Sequence, residues 1–332
     1  MTNPLSGVIL METFQKKEVF LIATMKDVAR RAGLGLGTVS RFYNGISVKE
    51  ANREKIEAAA KALNYIQNPI AKSMKTGKSM TVAVVVPNLS NMFSMRIIES
   101  IEEALEPHGY SIVVSGCRSK ADRELERLRM FRHKRVDGFI LMPVSQYAAP
   151  ILEAAEQTPL VLIDRLVDSP SFDAVIVNNR QAVYREVSDA LTSGITRIGI
   201  IEGPSSVYTA RERRAGYEDA LREAELTSCC VQSGGYTVES GYHAMRKMLE
   251  DRPQAVFISN YELTVGAMNA MYESNARIRL IGFDHVEFSA IERTGNRFIS
   301  QPVEKIGMTA AALLLKRMHG NAGTPECKIL EL

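Results

Sequence analysis

The chain has 332 residues, of which 45% are hydrophobic and 24% are charged, enough to fill the cores of two or three domains. No apolar run approaches the roughly 20 residues that a membrane-spanning helix needs, and the apolar residues 19–25 form a shorter run than most signal-peptide cores, with no small-residue cleavage site after them. The four cysteines and five histidines lack metal-ligand spacing, so we expect reduced thiols, a cytoplasmic protein, and no metal or cofactor.

Positive charge is concentrated near the amino end of the chain. Residues 25–80 contain 11 Lys and Arg against 4 Asp and Glu, a balance of +7, whereas residues 81–332 contain 28 against 32. A small basic block ahead of a mildly acidic body favours a nucleic-acid-binding head on a separate domain. Charge alone leaves a solvated basic surface equally open.

The first predicted helix follows an irregular segment. Residues 1–23 show no sustained period, and we expect a disordered extension or an upstream start codon, with Met25 as the working start. Thr24 and Asp27 have the spacing of a capping box. Gly33 is predicted to end the helix. The residues that share its inward face are Val28, Ala29 and Ala32.

A second short helix is predicted over about residues 36–43, with Val39 inward, and residues 44–45 form a turn. Ser47 followed by Glu50 predicts another capping box at the start of a third helix. The buried side of that helix is predicted to hold Ile56, Ala59, Ala60 and Leu63. The dipeptide "NP" then precedes a short basic helix, "IAKSMK", and a linker.

From residue 81 the pattern changes to continuous β-branched runs, separated mostly by amphipathic segments of helix length. Alternating strands and helices predict parallel, doubly wound sheets. The segments "VAVVVPNLS" and "IGIIEGPSS" echo each other, which indicates two similar lobes rather than one large sheet. The predicted strands lie at 81–87, 110–116, 137–143, 160–164, 174–179, 197–203, 255–260 and 278–284.

The glycine-rich stretch "AGLGLGTVSR", residues 32–41, raises the question of a phosphate-binding loop. A dinucleotide-binding loop needs a strand before its glycines, whereas a helix precedes these. Helix, glycine turn and helix in succession predict a helix-turn-helix, whose second helix enters the DNA major groove. Thr38, Ser40 and Arg41 can then donate to phosphates or bases, although exposed helix polarity is the alternative.

A long ordered series of motifs closely resembles the LacI/GalR family of bacterial repressors, from about residue 24 to the end of the chain. The segments are "ATMKDVARRAG", "TVSRFYNG", "RVDGFILMP", "RERRAGYEDAL", "SNYELTVGAMNAM" and "SQPVEKIG", among others. The resemblance implies an all-α helix-turn-helix head and an α/β core of two lobes, similar to a periplasmic sugar-binding protein. The implied parts are a head at 24–66, a hinge helix and linker at 67–80, and an effector-binding and dimerisation core at 81–332.

The resemblance also implies which residues meet DNA. Leu36 and Gly37 occupy the positions that set operator preference, where the family often has polar or bulkier side chains, and Gly35 replaces the usual Ser. Met74 matches the hinge residue that is wedged into the minor groove, unless it packs within the linker. The complete DNA-binding set is Thr24, Lys26, Leu36, Gly37, Thr38, Ser40, Arg41, Asn44, Ala71, Lys72, Met74 and Lys75.

In the core, the resemblance implies an effector cleft between the lobes, suited to a sugar or polyol. An acidic ligand would use Arg165 and Arg211, and two of the aspartates have the alternative of capping or ion pairing at strand ends. Met92 and Tyr261 depart from the family pattern, so the identity of the effector does not carry over. The implied effector-binding residues are Asn91, Phe93, Asp164, Arg213, Asn260 and Asp284.

Together these features predict a repressor of carbohydrate-use genes that binds operator DNA as a homodimer and does not act at a membrane. No C-terminal helical zipper is present, which favours a dimer over a tetramer. Whether the effector is an inducer or a co-repressor stays open. A transporter's solute-binding protein is disfavoured by the basic head, and an enzyme by the lack of a nucleophile–base or paired-carboxylate motif.

Overall fold

The structure, a computed structural model, describes residues 23–66, 77–284 and 295–332. The chain divides into two compact units, Met1–Thr76 and Gly77–Leu332. No helix in the described ranges is both long enough and apolar enough to cross a lipid bilayer.

In the described part of the amino-terminal unit, residues 23–66, three helices surround a small apolar core. Val28, Val39 and Ile56 meet there and are fully buried. The predicted capping box is present, since the Thr24 backbone N–H donates to the Asp27 carboxylate at 3.0 Å. The helices are α1 Met25–Ala32, α2 Leu36–Tyr43 and α3 Glu50–Ala62.

The prediction that Ser47 caps α3 is wrong. The N–H groups of Asn52 and Arg53 donate to the Lys49 carbonyl at 2.8 and 3.1 Å, which makes Lys49 the N-cap residue. Ser47 therefore lies two residues before the N-cap position, from which a side chain would accept from the unpaired N–H groups of the first turn.

The second unit contains eleven strands and eight α-helices among its described residues. The strands are β1 Thr81–Val86, β2 Ser111–Gly116, β3 Gly138–Leu141, β4 Leu160–Ile163, β5 Asp173–Val177, β6 Ile198–Glu202, β7 Val231–Ser233, β8 Ala255–Ile258, β9 Arg279–Phe283, β10 Arg297–Ile299 and β11 Cys327–Leu330. The helices are α4 Met92–Leu105, α5 Ala121–His133, α6 Ala148–Ala155, α7 Asn179–Thr192, α8 Tyr208–Glu223, α9 Val238–Met248, α10 Tyr261–Glu273 and α11 Val303–Met318.

These elements form two parallel sheets, which confirms the predicted two-lobed α/β core. Lobe 1 has the strand order β11-β5-β4-β3-β1-β2, with α4, α5, α6 and α11 around it. Lobe 2 has the order β10-β9-β8-β6-β7, with α7, α8, α9 and α10. The order reverses at β1 and at β6, and loops at the carboxyl ends of such strands form ligand crevices.

Strand β1 shows why these apolar runs become central strands. Val82, Val84 and Val86 pack in one apolar cluster, and Ala83 and Val85 pack in another, so side chains on both faces are buried. Strands covered by helices on both sides are apolar at every position rather than at alternate ones.

Three strands that the sequence pattern did not predict, β7, β10 and β11, lie at edges of the two sheets. They have three or four residues and include exposed or partly exposed polar positions. An edge strand is covered less completely, so its sequence carries a weaker apolar signal.

Candidate functional site

The six side chains predicted to contact an effector line one cavity, of about 60 Å³, between the carboxyl ends of the two sheets. We call it the inner cavity. An outer cavity of about 780 Å³ shares Asn88, Ser119, Arg165 and Tyr236 with it. Lobe 1 contributes Asn91, Phe93 and Asp164 to the inner cavity, and lobe 2 contributes Arg213, Asn260 and Asp284.

Arg213 is held rigidly by lobe 2 and is 3% exposed. Its Nε donates to Asn179 Oδ1 at 2.8 Å, and its Nη1 donates to the carbonyl of Ser259 at 2.6 Å. The guanidinium also stacks on Phe283, 3.5 Å from the ring centroid. A planar cation fixed at three points is preorganised to recognise a ligand in one orientation.

Two aspartates follow corresponding strands of the two lobes, Asp164 after β4 and Asp284 after β9. Both have left-handed backbones, with φ of +66° and +74°, a costly conformation that clusters at functional sites. Asp164 Oδ2 accepts from Arg165 Nε at 3.3 Å, whereas the buried Oδ1 has no hydrogen-bond partner among the described residues. The site therefore presents one acceptor that a ligand hydroxyl would satisfy.

Asp284, just after β9, lines the same cavity and is half-buried. Its Oδ1 accepts from Gln301 Nε2 at 2.6 Å. Burial raises the pKa of Asp284, and the nearby Asp164 adds to this effect, while Arg213 opposes it. The carboxyl group is therefore easier to protonate than an exposed aspartate.

Asn91 and Asn260 are both N-cap residues, of α4 and α10. Their Oδ1 atoms accept from the backbone N–H groups of Ser94 and Leu263, each at 3.0 Å. Their Nδ2 atoms donate to the two carboxylate oxygens of Glu262, each at 2.5 Å. Because Asn91 belongs to lobe 1 and Glu262 to lobe 2, this carboxylate joins the lobes across the cleft.

Glu262 is a site residue that the sequence reasoning missed. It stands in the first turn of α10, where an acidic residue is favourable whether or not it has another partner. Burial raises its pKa. Its position two residues after Asn260 was the feature of the sequence that could have indicated a role in the site. Its partner Asn91 lies 171 positions away, so the contact between them is not visible in the sequence. Other lining residues that the sequence reasoning did not identify include Met142, Thr209, Tyr236 and Gln301.

The amino-terminal end of α2 forms the second candidate site. Leu36 is 43% exposed, and a Cβ atom added at Gly37 would meet no atom within 4 Å. Gly35 is the N-cap residue and provides no side-chain hydrogen bond. Arg41 is exposed one turn after Gly37, on the same face of the helix. The tip of α2 is therefore open and almost bare.

The other predicted DNA contacts divide into exposed and engaged side chains. Thr24 and Lys26 are exposed at the start of α1, where the Thr24 hydroxyl donates to the Asp27 carboxylate at 2.6 Å, and Thr38 is half-buried. Asn44 Nδ2 donates to the carbonyl of Ser40 at 2.5 Å and to its Oγ at 3.2 Å, so this pair closes the end of α2. The predicted hinge contacts Ala71, Lys72, Met74 and Lys75 lie outside the described residues.

Comparison with known proteins gives two adjacent family matches. Residues 24–68 match the model described as "Bacterial regulatory proteins, lacI family". Residues 79–329 match "Periplasmic binding proteins and sugar binding domain of LacI family".

Full-length relatives and solved structures agree with these matches. The HTH-type transcriptional repressor PurR of Aliivibrio salmonicida is 31% identical over 308 residues, which cover 90% of this chain and 92% of the relative. The lac repressor dimer bound to operator and the anti-inducer ONPF superposes with a TM-score of 0.84 at 28% identity, covering 93% of this chain and 96% of that chain. The CelR–cellobiose complex has a TM-score of 0.68 at 28% identity, with 93% and 97% coverage.

Proposed function

This chain belongs to the LacI family of bacterial regulatory proteins, and from that membership we propose that it is an operator-binding transcriptional repressor controlled by a sugar-like effector. The relatives are transcriptional repressors and not enzymes. In this proposal, residues 24–66 bind DNA, residues 67–80 form the hinge helix and linker, and residues 81–332 bind the effector and form the dimer interface.

The observation that carries the effector proposal is the convergence of fixed donors and acceptors from both lobes in one cavity. Arg213 supplies donors, and Asp164 Oδ1 supplies a buried acceptor without a partner among the described residues. Phe93 and Tyr236 add aromatic surface to the same lining. Vicinal hydroxyl groups with an apolar ring face match this combination.

Charge in the inner cavity favours a neutral effector. Arg165 is paired with Asp164, and Arg213 lies close enough to Asp284 to lower its pKa against the effect of burial. Glu262 brings a third carboxylate to two guanidinium groups. An anionic group placed there would be buried beside carboxylates, at a high electrostatic cost.

The DNA side of the proposal follows from two-fold symmetry. We propose a homodimer whose two heads bind the half-sites of a pseudo-palindromic operator. Met74 is proposed to wedge into the minor groove, with Lys72 and Lys75 at phosphates and Ala71 allowing close approach. Effector bound across the cleft would change the angle between the lobes, and thereby the separation of the two hinges. The operator must then change effector affinity by the same factor.

The function is tested with the full chain in two steps. Selection from a random duplex pool should yield a pseudo-palindromic motif. Thermal unfolding is then measured with neutral sugars and polyols, sugar acids and sugar phosphates. We expect a neutral compound to raise the Tm and to change operator affinity about 5- to 150-fold, the usual range of allosteric coupling. A motif without two-fold symmetry, or turnover of any sugar, would contradict the proposal.

Substituting Gly37→Asn should change operator preference more than overall affinity. The open space around Gly37 admits a side chain, and one new bidentate contact to adenine discriminates by about 1–3 kcal/mol. Repeating the selection with the variant measures the shift. Lys26→Gln is the control, because losing a phosphate contact should weaken all sequences about equally. An unchanged preference in Gly37→Asn would show that this helix end does not face the bases.

A further inference from the structure

Two thiols lie together in lobe 2, near the amino end of β6 and away from the effector cleft. The Sγ atoms of Cys229 and Cys230 are 3.3 Å apart, in hydrogen-bond contact. Cys230 is 8% exposed, and Cys229 is half-buried. Consecutive residues of a regular strand point to opposite faces. The backbone, which bends at Cys229, instead brings both sulfur atoms to one place.

Hydrogen bonds to β6 hold this arrangement. The Cys229 N–H donates to the carbonyl of Ile198 at 3.0 Å, and the Ile200 N–H donates to the carbonyl of Cys230 at 3.0 Å. Ser228 Oγ also donates to the Cys230 carbonyl, at 2.9 Å. The backbone on both sides of the thiols is therefore fixed before any ligand arrives.

Gly199, the second residue of β6, leaves the space that the Cys230 thiol occupies. A Cβ atom at this position would lie 2.6 Å from Cys230 Sγ and 3.1 Å from the Met248 sulfur. Any larger residue would push the Cys230 thiol away from its present place. The absence of a side chain at Gly199 is thus part of the dithiol geometry.

The distance between the two sulfur atoms indicates which kind of metal or metalloid atom the two thiols can bind together. With metal–sulfur bonds of about 2.3 Å, two thiolates lie about 3.8 Å apart on a tetrahedral centre and about 4.6 Å apart on a linear one, whereas the observed 3.3 Å corresponds to an angle of about 90°. Trivalent arsenic binds sulfur at near right angles, through its p orbitals. We propose that Cys229 and Cys230 form a binding site for a trivalent arsenical.

The exchange needs no oxidant. An arsenical R–As=O and two thiols give R–As(SCys)₂ and one water: two As–S bonds replace the As–O double bond, both thiol protons leave in the water, and arsenic stays trivalent. Burial, and then the hydrogen bond with Cys229, raises the pKa of the Cys230 thiol to about 12. The Cys230 thiol is therefore protonated at neutral pH, which disfavours reactions that require its free thiolate, such as attack on peroxide.

The test uses phenylarsine oxide and the folded full chain. We expect one equivalent to bind, seen by intact mass as one phenylarsenic group less two protons. A dithiol such as 2,3-dimercaptopropanol should remove it, and a monothiol should not. Cys229→Ser or Cys230→Ser should each lower the affinity on the order of 100-fold or more, because the second bond is then no longer intramolecular.

Two controls separate this site from general thiol chemistry. A Cys117→Ser/Cys327→Ser variant, which keeps the pair, should bind as the parent does. Gly199→Ala, which displaces the Cys230 sulfur, should weaken binding. If the folded chain takes up no arsenical until guanidinium unfolds it, or if either single serine variant of the pair binds as tightly as the parent, the proposal is overturned.

Discussion

Replacing Arg213 by glutamine should abolish the response to effector while leaving operator binding without effector intact. The guanidinium is buried and held by Asn179, Ser259 and the Phe283 ring, so its free donors face the cavity in a fixed orientation. Each hydrogen bond to a charged group is worth about 1.5–3 kcal/mol. We therefore expect the effector Kd to rise about 10- to 100-fold for each bond lost. Titration of the variant by thermal unfolding and by operator release measures the loss.

The same experiment needs controls for folding, because Arg213 also ties α7 to the end of β8. Arg213→Lys keeps the charge but loses the planar, two-atom geometry, and should also respond weakly. Arg222→Gln, on the exposed face of the same helix, should behave as the parent does, since its partner Asp219 forms a surface pair. A folded Arg213→Gln variant with unchanged effector affinity would show that the effector does not bind in this cavity.

Asp173→Asn should lower the free energy of unfolding of the core by about 3–5 kcal/mol, the usual cost of breaking a buried ion pair. Asp173 is 3% exposed. Its oxygens accept from Arg317 Nε at 2.6 Å and Nη2 at 2.7 Å, and from the Glu326 N–H at 2.6 Å. One carboxylate thus joins β5, α11 and the approach to β11. Urea denaturation of the full chain measures the change.

The effect should depend on pH in a defined direction. Burial raises the pKa of Asp173, but the Arg317 hydrogen bonds, the Glu326 N–H and the charge of Arg317 together more than offset this, and the pKa in the folded chain is lowered. A lowered pKa contributes stability above the unfolded value of about 3.9, and that stability is lost as pH falls through the folded value. The difference between parent and variant should therefore shrink below about pH 4. Asp219→Asn, at a surface pair, should cost about 0–1 kcal/mol, and an equal cost for Asp173→Asn would contradict the prediction.

The sequence pattern predicted most of the helices and strands, because the spacing of apolar residues shows which side of each element is buried. The run "TVAVVV" became β1 because helices cover both faces of its sheet. The capping box at Thr24 formed as predicted, because both of its partners lie within one turn. The cap at Ser47 did not form, since spacing alone does not fix the residue at which a helix begins.

Partners that are distant in sequence were beyond such reasoning. Glu262 has an ionisable side chain, but only the packing of one lobe against the other brings Asn91 within hydrogen-bond distance of it. Similarly, the sequence shows that Cys229 and Cys230 are adjacent, but not that their sulfur atoms are in contact. That contact depends on the bend in the backbone at Cys229 and on the space that Gly199 leaves for a sulfur atom.

The sequence by itself determined the classes of structure, a basic helical head and an α/β core of two lobes, because local periodicity shows which residues of each helix or strand are buried. Its resemblance to the LacI/GalR family implied the six side chains now found around the inner cavity, where parallel strands bring their carboxyl ends together at one edge. Only the tertiary structure decided the state of each group. It left Asp164 Oδ1 without a partner among the described residues, engaged both asparagine amides with Glu262, and left the end of α2 bare. Hydrogen bonding and burial depend on distances between residues far apart in the chain, which no local pattern records.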